Sequence, residues 1–156
     1  MQIHDASIIR LIERIGDHYK SNISNRFVRP ALLQLHFDNQ SWELMEDLTE
    51  RDSSQAIHLD ELYHQIIAAA KFVSVVRREL PMLWGRVARP DPASSDRVLR
   101  EMAINNFGSN LQVFADLLNE LFIKLVETDK ARTKKTSRPI YTQIPELSDV
   151  ARLLTE

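Results

Sequence analysis

DRVLREMAINNFGSNLQVFADLLNELFIKLVE, residues 96–127, runs for about thirty positions without a proline and carries Leu99, Ala103, Phe107, Leu111, Phe114, Leu118, Leu121 and Leu125 at intervals of three and four. Apolar residues recurring in this way share one side of an α-helix. The stretch therefore predicts a helix roughly 45 Å long at 1.5 Å per residue. A second row, Val98, Met102, Val113, Leu117, Phe122 and Val126, widens the apolar stripe. Neighbours are expected on two sides, which makes this the central helix of the fold.

The middle of the helix is weak. Asn105, Asn106, Gly108, Ser109 and Asn110 crowd poor helix formers together, and glycine alone costs about 1 kcal/mol relative to alanine. Two readings compensate for that. In one, Gly108 lets another helix backbone come close; in the other, the small polar residues mark a kink or a polar pocket at mid-bundle.

Outward from this helix the remaining chain is also helical in period. Asp5 suits an amino-terminal cap for a stripe of Ile8, Ile12, Ile15, Tyr19 and Ile23, whose continuity Gly16 weakens. Pro30 sets a boundary before a second helix on Leu33, Phe37, Leu44 and Leu48. The polar patch of Asp38, Asn39, Gln40 and Ser41 divides that helix if Ser41 caps a new start. A third helix carries Leu59, Leu62, Tyr63, Ile66, Ile67, Ala70, Val73 and Val76 until Pro81 ends or kinks it. Beyond Glu127, residues 128–137 hold Ala131 as their only apolar side chain and read as a solvated linker. Residues 139–144 read as extended, and Leu147, Val150, Leu153 and Leu154 form the apolar edge of a last short helix.

Strand signals are almost absent. Four long helices with short connections pack most economically as an antiparallel bundle. The expected architecture is a single all-α domain resembling a four-helix bundle: a bundle over residues 1–129, then a basic linker and carboxy-terminal interaction tail over residues 130–156.

Composition narrows the function. At 156 residues, 44% of them hydrophobic and 27% charged, the chain is long enough for a full core without staples. The absence of cysteine excludes disulfides, thiolate catalysis and cysteine-ligated metals, and fits a cytoplasmic location. The longest apolar run, residues 66–76, is interrupted by Lys71 and is too short for a membrane span. The amino terminus lacks the layout of a signal peptide.

Chemistry-bearing patterns are few. Glu61 and His64 form one Glu-x-x-His pair, whereas a two-metal carboxylate centre in a bundle needs two. Glu43, Glu46, Asp47 and Glu50 span two helical turns with the hard oxygens that suit magnesium. A second helix would have to add acids to them, and the long helix offers only Asp116 and Glu120 away from its ends. A charge run of this kind is ordinarily a solvated helix face. No catalytic residue, metal ligand or cofactor is assigned.

The net charge of −2 is unevenly spread. Six arginines fall between positions 77 and 100, and five basic residues between 130 and 138. The candidate binding residues are therefore Arg77, Arg78, Arg86, Arg89, Lys134, Lys135 and Arg138, with Tyr141, Leu147 and Leu153 of the tail. The leading expectation is a non-enzymatic bundle that works through protein–protein contact, with a protein partner or sister subunit, as a homo-oligomer. A nucleic-acid-associated accessory protein using residues 77–100 is the alternative, and a metal-dependent hydrolase with acids in the bundle comes third. The tail is too apolar to stay in water and is expected to dock on a sister subunit or partner rather than fold back.

Overall fold

The computed structural model describes residues 1–52, 54–87, 97–133 and 138–156, apart from the side chains of residues 84–87, 97, 99 and 100. It is all-α. Six helices appear in order: α1 Ala6–His18, α2 Arg29–Leu32, α3 Asn39–Thr49, α4 Leu59–Val87, α5 Arg97–Arg132 and α6 Val150–Thr155. Among the described residues there is no strand, only one antiparallel bridge between Gln2 and His58.

The starts of α1 and α3 follow from local chemistry. Asp5 accepts a hydrogen bond from the Ser7 backbone N–H at 2.8 Å, satisfying one of the donors that a helix start leaves open. Asp38 does the same for Ser41 at 2.8 Å. The polar patch thus divides the second helix as expected, with the cap three residues earlier than Ser41. Beyond His18 the first helix widens into a π turn over Tyr19–Ile23.

The hub is α4 rather than α5. It touches α2, α3, α5 and α6, and Leu59, Leu62, Tyr63, Ile66, Ile67, Phe72, Val73 and Val76 are all buried. Three consecutive alanines, Ala68 to Ala70, are buried as well, so the middle of α4 is covered on several sides. The helix also continues through Pro81, although proline there removes an internal hydrogen bond. Rings from four elements meet at the core's centre: Phe72 lies 6.0 Å from Tyr19, 5.6 Å from Trp42 and 6.5 Å from Phe114. Burial there pushes the Tyr19 phenol up to about 12.

Gly16 and Gly108 exchange the roles their sequence context suggests. A Cβ on Gly16 would sit 2.6 Å from the Thr49 carbonyl oxygen, so α1 and the end of α3 approach as closely as the missing side chain permits. A Cβ on Gly108 would meet nothing within 4 Å. The expected close packing at Gly108 is therefore corrected: among the described residues nothing approaches it. Gly16→Ala should lower stability by about 1–2 kcal/mol, overpacking outweighing alanine's better helix propensity. Gly108→Ala should raise it by up to about 1 kcal/mol. Urea midpoints of the two variants compare these signs directly. A neutral Gly16→Ala would deny the close approach.

The long helix outlasts its expected end, and the segment read as linker begins later. α5 runs on to Arg132, with the Thr128 hydroxyl donating to the Lys124 carbonyl and that of Thr133, just past the helix, to the Asp129 carbonyl, so neither hydroxyl is left to compete for the backbone N–H groups. Asp129, one turn from the end of α5, is fully buried. Its Oδ1 accepts from the Ile140 N–H at 3.1 Å, and its Oδ2 accepts from the Tyr141 N–H and the Tyr63 hydroxyl, each at 2.9 Å. The carboxylate thereby caps, from a different helix, the 3-10 turn Ile140–Gln143.

The tail consequently folds back. Ile144, Leu147, Val150 and Leu154 are buried in the common core, with α6 against α4 and α5. The expectation that this segment leaves the bundle for a sister subunit or partner is corrected by that placement. Its apolar edge is long enough to close the core of its own chain, and Asp129 supplies the polar anchor that directs it there.

Candidate functional site

The candidate residues separate into three groups. Arg77 is committed within the fold: its guanidinium donates to the Leu154 and Glu156 carbonyls at 2.5 and 3.2 Å and to Gln112 Oε1 at 2.8 Å. A cation at the carbonyl end of α6 both satisfies open acceptors and complements the helix dipole. Arg89, Lys134, Lys135 and the side chain of Arg86 lie outside the described residues. Arg138 is exposed beside the tail.

Arg78 and Leu153, distant in sequence, come together. They line a groove of about 280 Å³ with His36, Phe37, Lys71 and Val75. Lys71 and Arg78 stand two turns apart on one side of α4, both exposed. Among the described residues neither makes a salt bridge. The acid at the rim, Asp38, is occupied as the α3 cap. Hydrogen bonds from the Ser41 N–H and hydroxyl, at 2.8 Å each, hold its carboxyl below the usual carboxylate range.

Tyr141 and Leu147 share a second, largely apolar groove of about 520 Å³ with Phe122, Val126 and Ile144. Leu147 is buried within its own chain. Tyr141 is half-buried, with the Lys130 ammonium 5.6 Å from its ring centre.

The acids of α3 also gather. Glu46, Asp47 and Glu50 line a depression of about 370 Å³ with Arg51, Gln65 and Glu61, so α4 contributes the second-helix acid that the sequence reading sought on the long helix. Among the described residues, however, no group of three or more histidines, aspartates or glutamates is spaced to hold a metal ion. His64 is not among the residues lining that depression, and its Nδ1 lies 2.8 Å from the Asp60 carbonyl oxygen. Arg51 spans the depression instead, donating to the Ala56 carbonyl at 3.2 Å and to Gln65 Oε1 at 3.3 Å.

The weak middle of α5 contains the polar pocket that its asparagines suggest. A depression of about 230 Å³ is lined by Met102, Asn106 and Asn110 of α5 and by Ser21, Asn22 and Asn25 at and beyond the π turn. Beside it, His18 Nε2 is 2.7 Å from the Asn110 carbonyl oxygen, and its Nδ1 is 3.1 Å from the Asn22 side-chain nitrogen. This pairing ties the widened end of α1 to the middle of α5.

The outward side of that same half of α5 is bare. Val98, Met102 and Val113 are 64%, 53% and 44% exposed, and Ile123 further along is 49% exposed. At 100° per residue these four fall within about 80° of one another around the helix. The second apolar row is therefore uncovered by this chain at Val98, Met102 and Val113, although Leu117 is buried and Phe122 and Val126 are half-buried. Residues 102–115 include no charged side chain, in a protein that is 27% charged.

Sequence reading overlooked Lys71, which it treated as a break in an apolar run. Its seven-residue spacing from Arg78 was the available signal. Asp129 carried no such signal, since its partners lie elsewhere in the chain. No helix among the described residues is long and apolar enough to cross a membrane. No family model, curated protein or solved structure matches the chain.

Proposed function

We propose that this is a non-enzymatic helical protein that works through protein–protein contact and associates with a second copy of itself along α5. One observation carries the reading: residues 102–115 hold no charged side chain, and the side of α5 that bears Val98, Met102 and Val113 is exposed. The cores of protein interfaces are depleted in charge, whereas ordinary surfaces are not. Ser109, a poor helix former, is exposed on that same side and is small enough to let a neighbouring helix come near.

A two-fold axis close to Asn106–Gly108 supplies such a neighbour without a second binding surface. Two α5 helices crossing there in opposite directions place Met102 of one copy against Val113 of the other. The same contact occurs twice. The uncharged stretch then meets an uncharged stretch, while Asp116 and Glu120 remain towards the edges.

Light scattering across a concentration series should show a dimer, with Met102→Glu and Val113→Glu each weakening it by roughly a hundredfold, because each would press a carboxylate against an apolar side chain of the other copy at both repeats of the contact. A protein that remains monomeric at every concentration would contradict self-association. The arginine-rich region supports the nucleic-acid alternative less well, since Arg77 already serves α6.

A further inference from the structure

We infer that the groove between α4, the α2–α3 connection and α6 is a docking site for an acidic, partly apolar peptide segment of another protein. The inference is independent of self-association along α5, which uses other residues. Three observations lead to it.

First, the groove is cationic. Lys71 and Arg78 on α4 and His36 opposite them are exposed at one depression of about 280 Å³. Lys71 and Arg78 are seven residues apart, or about 10 Å along the helix axis. Surface cations are ordinarily matched by acids nearby. Here the acid within reach is Asp38, whose two oxygens already accept from Ser41. Its carboxylate feels the Lys71 charge, but the two form no salt bridge.

Second, the floor is apolar. Phe37, Val75 and Leu153 are each half-buried, so they pack on the core while leaving part of their surface in the groove. A ligand offering charge alone would leave that surface wet. A segment with carboxylates about 10 Å apart and an apolar side chain between them meets both requirements. In a helix that spacing is seven residues, on one face.

Third, the groove is poorly suited to nucleic acid. Phe37 is held edge-on to Trp42 at 5.2 Å and to Phe72 at 5.9 Å, so its ring belongs to the aromatic core rather than to a stacking platform. Charge complementarity with an apolar contact favours a peptide.

The test is fluorescence anisotropy with the full chain and a labelled fourteen-residue helix-forming peptide that carries glutamates seven positions apart with leucines between them on the same face. A glutamine–leucine peptide and poly-uridine RNA serve as comparisons. The acidic peptide should bind, and binding should weaken as salt is raised. Lys71→Gln and Arg78→Gln should each reduce affinity about fivefold, and both together about twenty-five-fold. Both positions are exposed, so unchanged circular dichroism is expected of the variants. Arg10→Gln, at an exposed basic residue of α1 outside the groove lining, should leave binding unaltered. Equal binding of the glutamine–leucine peptide, equal loss with Arg10→Gln, or binding of RNA in preference to the acidic peptide would each overturn the assignment. Absence of peptide binding at low salt would overturn it too.

Discussion

Asp129→Ala is expected to destabilise the protein by about 3–5 kcal/mol, because one fully buried carboxylate serves three donors. The Tyr63 hydroxyl would lose its better acceptor. The Leu125 carbonyl, at 3.3 Å, is the remaining one within reach. The Ile140 and Tyr141 N–H groups would lose the cap of the 3-10 turn that introduces the tail. Burial and the adjacent carboxylate raise the Tyr63 phenol's pKa, so it remains a donor and does not compete for a proton. The carboxylate also sits near the carbonyl end of α5, an unfavourable place for negative charge unless donors surround it.

Asn in place of Asp129 should rescue little. Each carboxylate oxygen accepts from a backbone N–H, and an amide would set its own NH2 against one of those donors. Tyr63→Phe, which removes one bond and leaves both backbone bonds, should cost only about 1 kcal/mol. Urea unfolding of the three variants gives the order. A loss below about 1 kcal/mol for Asp129→Ala would show that the tail is held by its apolar contacts alone.

Asp129 also shows why the sequence was legible only in part. Helices whose apolar residues recur every three or four positions were readable, as were the Asp5 cap and the division of the second helix, because these depend on near neighbours. The end of α5 was not. Thr128, Asp129 and Lys130 are polar by composition, and what holds this last turn in place is the burial of Asp129 against Tyr63 and a segment 11 and 12 residues further on. Gly16 and Gly108 make the same point in opposite directions. Neither glycine reveals locally whether another backbone approaches, so Gly16 read as a weak point and Gly108 as a contact, and the structure reverses them. The basic residues were found by counting charges, but geometry decides that Arg77 is a structural cap while Arg78, its neighbour, faces a groove.

Deleting residues 138–156 should produce the largest loss of all, and it also distinguishes a tail that completes the core from one held in reserve for a partner. Ile144, Leu147, Val150 and Leu154 are buried against the rest of the chain. At about 1.5–3 kcal/mol for each such side chain, their gross contribution is on the order of 6–12 kcal/mol, before the entropy of ordering the tail is subtracted. That is comparable with the whole stability of an ordinary domain, about 5–15 kcal/mol. Deletion would also uncover the apolar surface of α4 and α5 and leave Asp129 and Arg77 without their tail partners. The truncated chain should therefore melt at least 15 °C lower or aggregate, on the scale of about 2–4 °C per kcal/mol for a chain of this size. A separate peptide of residues 138–156 added back should restore part of the lost melting temperature, since the groove it fills would otherwise stay open. If instead the truncated protein keeps its melting temperature and loses only the ability to associate, the tail's burial contributes nothing to the monomer, and its function lies in another molecule.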